Sequence, residues 1–303
     1  MKRTYKKHLK RRTKRSSVLS SVFLAVSWLI AFLTVILCGH AVLEQSQIPE
    51  AAALQSSQVF AVREPSGIDA TFRKIKAINS LRSKEPTILI YHTHTTEAYF
   101  PTVQNPYKEA GKWRTNDNTK NVVKVGEALK EILEREYGFC VIHDMTNHEP
   151  PKLATSYDRS LVTMQKYHEM YPSIRLFIDL HRDAYQDPTA PADYVEINGT
   201  QTARLMFVVG KGEKYSDKPY LSSNTELTEF MTSYLQSIDP KLARPIRVKP
   251  GRYNQHVAPN CILVEVGHNA NTLEQAIAAA PYLAESIAYA FASCSVVETW
   301  APN

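Results

Sequence analysis

Three short apolar runs in this chain end in side chains that can hold a metal ion or move a proton. TILIY (Thr87–Tyr91) is followed by His92-Thr93-His94-Thr95-Thr96-Glu97. LFIDL (Leu176–Leu180) leads into Asp179-Leu180-His181-Arg182-Asp183, and ILVEV (Ile262–Val266) carries Glu265 and continues into Gly267-His268-Asn269. Imidazoles and carboxylates gathered at strand ends suit a hydrolytic zinc ion (Zn2+), which takes three N/O ligands and keeps one position for water. Each run alone has a plainer explanation. A His-x-His pair can be a surface pair, and His181 can be a hydrogen-bonded core histidine. Glu265 within a buried strand needs a charge partner or a chemical task. As a set they point to a metal site.

Two polar clusters extend this edge. Pro250-Gly251-Arg252-Tyr253-Asn254-Gln255-His256 precedes the last apolar run and is dense in donors, so Arg252, Tyr253, Asn254 and Gln255 are expected to contact substrate. Arg114, Asn116 and Asp117 precede a long amphipathic stretch, where Asp117 or Asn118 would make a good helix N-cap. Asp117 is read either as that cap or as a carboxylate near the metal.

The elements that must position these groups alternate along the chain. Asn118–Tyr137 places Val122, Val125, Leu129, Ile132 and Leu133 on one helical face, Gly138 stops it, and FCVIH follows as a strand. Tyr157–Tyr171 reads as a helix, Ala192–Gly210 as two strand-like runs, Ser222–Ser237 as a helix and Thr272–Ser293 as a long Ala-rich helix. Strands alternating with helices predict an α/β three-layer fold, a mostly parallel central sheet flanked by helices, whose ligands collect beyond the carboxyl ends of the strands. Cys38, Cys140, Cys261 and Cys294 show no spacing for a disulfide framework or a thiolate metal site.

The formal charge of +6 is misleading, because residues 1–15 carry nine Lys or Arg, and +6 less nine leaves −3 for the remainder. A basic tail suits nucleic acid, but here Val18–Leu37 follows as twenty residues without a charge. A helix of that length spans roughly 30 Å, the thickness of a bilayer's hydrocarbon core. No nucleic-acid partner is expected. The expected organisation is a cytoplasmic tail (1–17), one transmembrane helix (18–41), an extracytoplasmic linker (42–69) and a catalytic domain (70–303). Cations on the N-terminal flank put the N-terminus in the cytoplasm. Gly39-His40-Ala41 loosely fits a signal-peptidase site, yet the apolar run exceeds the usual signal core, which favours a retained anchor.

ILIYHTHTTEAY, RTND followed by NVVKVG, FIDLHRDA and GRYNQHVAPNCILVEVGHNANT, in this order over residues 85–297, resemble the stage II sporulation protein P family. The resemblance implies a zinc-amidase-like fold and an N-acetylmuramoyl-L-alanine amidase of peptidoglycan, credited also with endopeptidase cleavage of crosslinks. It implies a role in engulfment at the sporulation septum, on the mother-cell membrane, with stage II sporulation proteins D and M as partners. By position it makes His94 and His181 zinc ligands and Glu265 the catalytic glutamate. Glu97 is favoured over Asp117 as third ligand, and His92 is expected to orient a ligand or the substrate. Asp183 is a further carboxylate able to support or replace a ligand. Arg182 or Arg252 would stabilise the oxyanion or hold stem-peptide carboxylates. His268 stands where a small residue is expected. Two other readings stay open at this point: an extracytoplasmic zinc peptidase of another substrate, and a non-catalytic wall-binding scaffold.

Overall fold

The apolar runs become buried strands. In a computed structural model that describes residues 84–187 and 190–293 with Phe72, Lys76 and Asn79, Ile88–Tyr91 (β1), Leu176–Asp183 (β3) and Cys261–His268 (β8) are buried along their whole length. The tail, the apolar span Val18–Leu37 and the linker expected before residue 70 lie outside the described residues. Among the described residues no helix is long and apolar enough to cross a membrane.

The remaining strands are Val141–His143 (β2), Tyr194–Ile197 (β4), Thr200–Ala203 (β5), Leu205–Gly210 (β6) and Arg247–Lys249 (β7). The main sheet has the order β2-β1-β3-β8-β6-β7. β2, β1, β3 and β8 run parallel, whereas β6 enters antiparallel to β8 and carries β7 beside it. Ala192–Gly210 therefore holds three strands where two were expected. β4 and β5 form a separate antiparallel hairpin turned by Asn198 (φ 51°) and Gly199 (φ 76°). Asn-Gly with both residues left-handed is the favoured two-residue hairpin turn.

The helices are Val122–Tyr137 (α1), Ser156–Met170 (α2), Leu221–Ile238 (α3) and Leu273–Ala292 (α4). The cap of α1 is Asn121, whose side chain accepts from Val123 N at 2.9 Å, and not Asp117 or Asn118. Asp117 is exposed and folds its carboxylate onto Thr119 N and Oγ1 in the preceding turn. Gly138 closes α1 at φ 69°, a left-handed value that glycine takes without steric cost. Thr272 and Gln275 cap α4 reciprocally.

Period-two alternation divides the sheet into two faces. Ile88, Ile90, Leu176, Ile178, Leu180, Ile262, Val264 and Val266 pack in one core with α1, α3 and α4. Leu89, Tyr91 and Phe177 pack on the other face with Met164 of α2, and Leu263 joins Met206 and Val208 there. Helices thus cover both faces. This parity also sends Asp179, His181 and Glu265 to the α2 side.

Gly126 lets α1 approach the sheet above two histidines. A Cβ there would stand 2.7 Å from His143 Nε2 and 3.0 Å from His92 Nε2. Alanine gains about 1 kcal/mol of helix propensity over glycine, whereas overpacking costs about 1–3 kcal/mol. Gly126→Ala is expected to lower stability by up to about 2 kcal/mol in urea unfolding; a more stable variant would show that the histidine pair yields.

Candidate active site

His181 and Glu265 face one another as register partners across the β3–β8 ladder, just before a bulge between His181 and Asp183. Asp179 sits two residues before His181 and so on the same face. Its carboxylate accepts from Thr93 N at 2.8 Å and from Thr93 Oγ1 at 2.6 Å. It also stands 2.8 Å from His181 Nε2, out of line for a hydrogen bond. Thr93 lies in the turn leaving β1, so this contact draws the His92–Glu97 loop over the end of β3.

That loop delivers two more groups. The His94 ring meets the His181 ring edge-on with centroids 5.4 Å apart. Glu97 is buried, places Oε2 3.4 Å from His181 Nδ1 and accepts from Arg182 N at 3.2 Å. His181 thus has a carboxylate at each end. Burial opposes its charge, but Asp179 and Glu97 hold its ring well above the usual histidine range. Burial likewise works against the Glu97 carboxylate, yet Arg182 and His181 keep it below the usual range. Glu265 behaves oppositely, because burial pushes its carboxyl up to about 7, with Glu97 and Asp183 adding to the rise against His181.

Four buried polar atoms here lack hydrogen bonds: His94 Nδ1, His181 Nε2, Glu265 Oε2 and His268 Nε2. An unpaired buried polar atom costs about 1–3 kcal/mol, so such a cluster marks a place built for another species. Two imidazoles with carboxylates at hand are zinc-type donors. Among the described residues, however, no three His, Cys, Asp or Glu side chains are already gathered as a metal-holding set. The donor chemistry fits zinc, and the side chains are not preassembled around a point.

Several expected site residues have other tasks. Arg182 is buried and spends its guanidinium on the carbonyls of Ala98 (2.8 Å), Trp113 (2.7 Å) and Asp183 (3.4 Å). Asp183 is paired with Arg244 at 3.0 Å and Arg247 at 3.5 Å. Arg252 turns to Asp217 at 2.7 Å and stacks its guanidinium 3.5 Å from the centre of the Tyr215 ring. Gln255 bridges Gly210 N and Val208 O of β6, each at 2.8 Å. Asn254, at φ 57°, donates to Tyr157 O and Ser160 Oγ. The rings of Tyr253 and Tyr157 meet edge-on at 5.3 Å. His92 bonds Leu180 O and His143 Nε2, each at 2.8 Å, and burial with the neighbouring His143 pushes it down to about 3. It supports the base of the loop rather than bonding His94 or His181. His268 packs on Tyr185 with ring centroids 4.3 Å apart.

Asp179, Glu149 and Tyr157 were not singled out by sequence. Asp179 was detectable, since its i−2 spacing from His181 on a strand puts both on one face. Glu149 lies 3.9 Å from His94 Nδ1, bonded to Arg114 and to Thr96. Tyr157 stacks on His181 with centroids 6.5 Å apart and meets His94 edge-on at 5.7 Å. Both come from segments beyond β2, and no local pattern marks them.

The family model described as Stage II sporulation protein P matches residues 41–288. A curated relative, Stage II sporulation protein P of Bacillus subtilis (strain 168), is 28% identical over 198 residues, covering 62% of this chain and 47% of the relative. The chain therefore matches about half the length of that relative. Among solved structures it is similar to an N-acetylmuramoyl-L-alanine amidase from Clostridium difficile 630, at 15% identity and TM-score 0.45 over 72% of this chain and 99% of that one. It is also similar to the catalytic domain of CwlV, an N-acetylmuramoyl-L-alanine amidase from Bacillus (Paenibacillus) polymyxa var. colistinus, at 13% identity and TM-score 0.41 over 67% of this chain and 96% of that one.

Asp179→Asn tests the clamp. It leaves the fold of the strand intact but removes the charge that Thr93 bonds and His181 faces. A loss of roughly 3 kcal/mol or more is expected in urea unfolding, as when one partner of a buried charge pair is removed. A loss under about 1 kcal/mol, the worth of an ordinary hydrogen bond, would mean that the contact does not organise the loop.

Proposed function

The chain belongs to the stage II sporulation protein P family, and on that premise we propose that it is a zinc-dependent N-acetylmuramoyl-L-alanine amidase that thins septal peptidoglycan during engulfment. The observation that carries the chemistry is the facing pair His181 and Glu265 across the β3–β8 ladder, with the His94 ring 5.4 Å from His181. His94, His181 and Glu97 would hold the zinc. Of the two candidate carboxylates, Glu97 touches His181, whereas Asp117 is exposed and engaged by Thr119. Bound there, zinc would acidify water and polarise the lactoyl amide carbonyl.

The chain's own residues then manage the proton. Glu265 Oε2 is buried without a partner, and its carboxyl lies near neutrality on the pH scale. A group poised near the working pH can take a proton and return it. Glu265 would accept the proton of the attacking water and deliver it to the departing nitrogen of L-alanine. Asp179 and Thr93 fix the His181 ring and the loop that carries His94. A peptide crosslink is the same amide chemistry, so endopeptidase cleavage is open to the same groups.

The apolar run Val18–Leu37 would anchor the chain, with residues 70–303 outside the cytoplasm as the catalytic domain. Tethering raises the effective concentration of the enzyme at a wall that cannot diffuse to it. Stage II sporulation proteins D and M enter as partners through the family resemblance.

Digestion of purified peptidoglycan by the full-length chain is expected to yield glycan stripped of peptide together with free stem peptides. Intact lactoyl amides after digestion would overturn the amidase reading. Glu265→Gln should lower hydrolysis roughly 10²–10⁴-fold, the usual worth of a general base, with zinc still bound. His94→Ala and His181→Ala should lose both zinc and activity, and full engulfment by these variants would make the protein a scaffold. Zinc content should fall in Glu97→Gln and persist in Asp117→Asn.

A further inference from the structure

The site has few donors left to meet the negative charge that grows on an amide carbonyl oxygen during hydrolysis. Arg182 is committed to three backbone carbonyls, Arg252 to Asp217, and Arg114 to Glu149. The side-chain amides of Asn254 and Gln255 are likewise engaged. Tyr157 is different. Its ring lies parallel to the His181 ring, 12° between planes, and edge-on to His94, 84° between planes. The residue is half-buried, and Asn254 bonds its main-chain oxygen and not its hydroxyl.

The surroundings of Tyr157 fix its ring and its main chain. Its ring rests against Met206, Val208 and Leu263 and meets Tyr253 edge-on. Its carbonyl oxygen accepts from Asn254 Nδ2 at 3.2 Å, and the same amide nitrogen lies 2.9 Å from Ser160 Oγ. Ser160 Oγ is in turn 2.7 Å from Thr93 Oγ1, which donates to Asp179 beside His181. The Tyr253-Asn254 pair, both at left-handed φ, therefore holds Tyr157 in register with the imidazoles.

We infer that the Tyr157 hydroxyl donates a hydrogen bond to the scissile carbonyl oxygen as it becomes negative. This rests on the hydrolase reading of the site. A phenol keeps its proton at neutral pH and so serves as donor, not base. A donor held before the reaction needs no reorganisation when charge develops, which is why such groups act mainly on the transition state.

The test compares full-length wild type with Tyr157→Phe on a soluble disaccharide-peptide muropeptide. Removing one preorganised donor should lower kcat about 10²-fold or more, while KM stays within about twofold because the ground state is little affected. A phosphinate isostere of the scissile amide, with P–O standing for the charged oxygen, should bind the variant about 10²-fold more weakly. Zinc affinity from chelator competition and the Tm should be unchanged. Retained kcat and phosphinate affinity would overturn the inference, as would a kcat loss accompanied by lost zinc or lowered Tm, which would make the hydroxyl structural. A wild-type chain inactive on muropeptide would instead overturn the hydrolase reading, and this inference with it.

Discussion

A carboxylate taken out of water in the middle of a sheet face must be surrounded by donors, because uncompensated burial costs several kcal/mol. Asp179 is 1% exposed and meets this requirement with hydrogen bonds from Thr93 N and Thr93 Oγ1 and with the ionic contact of the His181 ring. Both donors come from the loop after β1, and the ring comes from its own strand. Satisfying the carboxylate therefore forces the loop down over the strand end. His94 and Glu97 travel with it. From Thr93 the hydrogen bonds continue through Ser160 to Asn254, so α2 and the segment before β8 join the same network.

Within that frame, Glu97 and Glu265 show how environment divides one residue type into two roles. Both are buried near His181. Glu97 has the Arg182 guanidinium and the His181 ring to favour its charge, whereas Glu265 is dominated by burial and by like charges at Glu97 and Asp183. Charge is favoured on the first, as the proposed zinc ligand would require. The second is pushed up to about 7, as the proposed general base would require.

The GRYNQ segment, expected to contact substrate, serves mostly inside the protein. Gln255 ties it to β6, Asn254 to α2, and Arg252 to Asp217. A donor-rich segment next to a reactive strand can either bind ligand or hold the walls of the site, and composition does not distinguish the two. Here a left-handed turn at Tyr253 and Asn254 points the amide back at main-chain oxygen.

Sequence by itself determined the elements, the family and which strand ends carry chemistry. Apolar periodicity is a local property, so β1, β3, β8 and the four helices were readable, and parity on β3 and β8 put His181 and Glu265 on definite faces. The direction of β6, the cap of α1 and the choice between Glu97 and Asp117 as the partner of His181 were decided only in three dimensions. No helix lies between β3 and β6 among the described residues to carry the chain back across the sheet, so β6 runs against β8; Asn121 out-competed Asp117 because its side chain reaches Val123 N, and Glu97 turned inward beside Arg182. Tyr157 is the clearest case. It lies 63 residues from His94 and 24 from His181 along the chain, and nothing in its neighbours marks it. Periodicity says which face a side chain occupies, but which elements lie against that face is set by long-range hydrogen bonds and packing that no local pattern encodes.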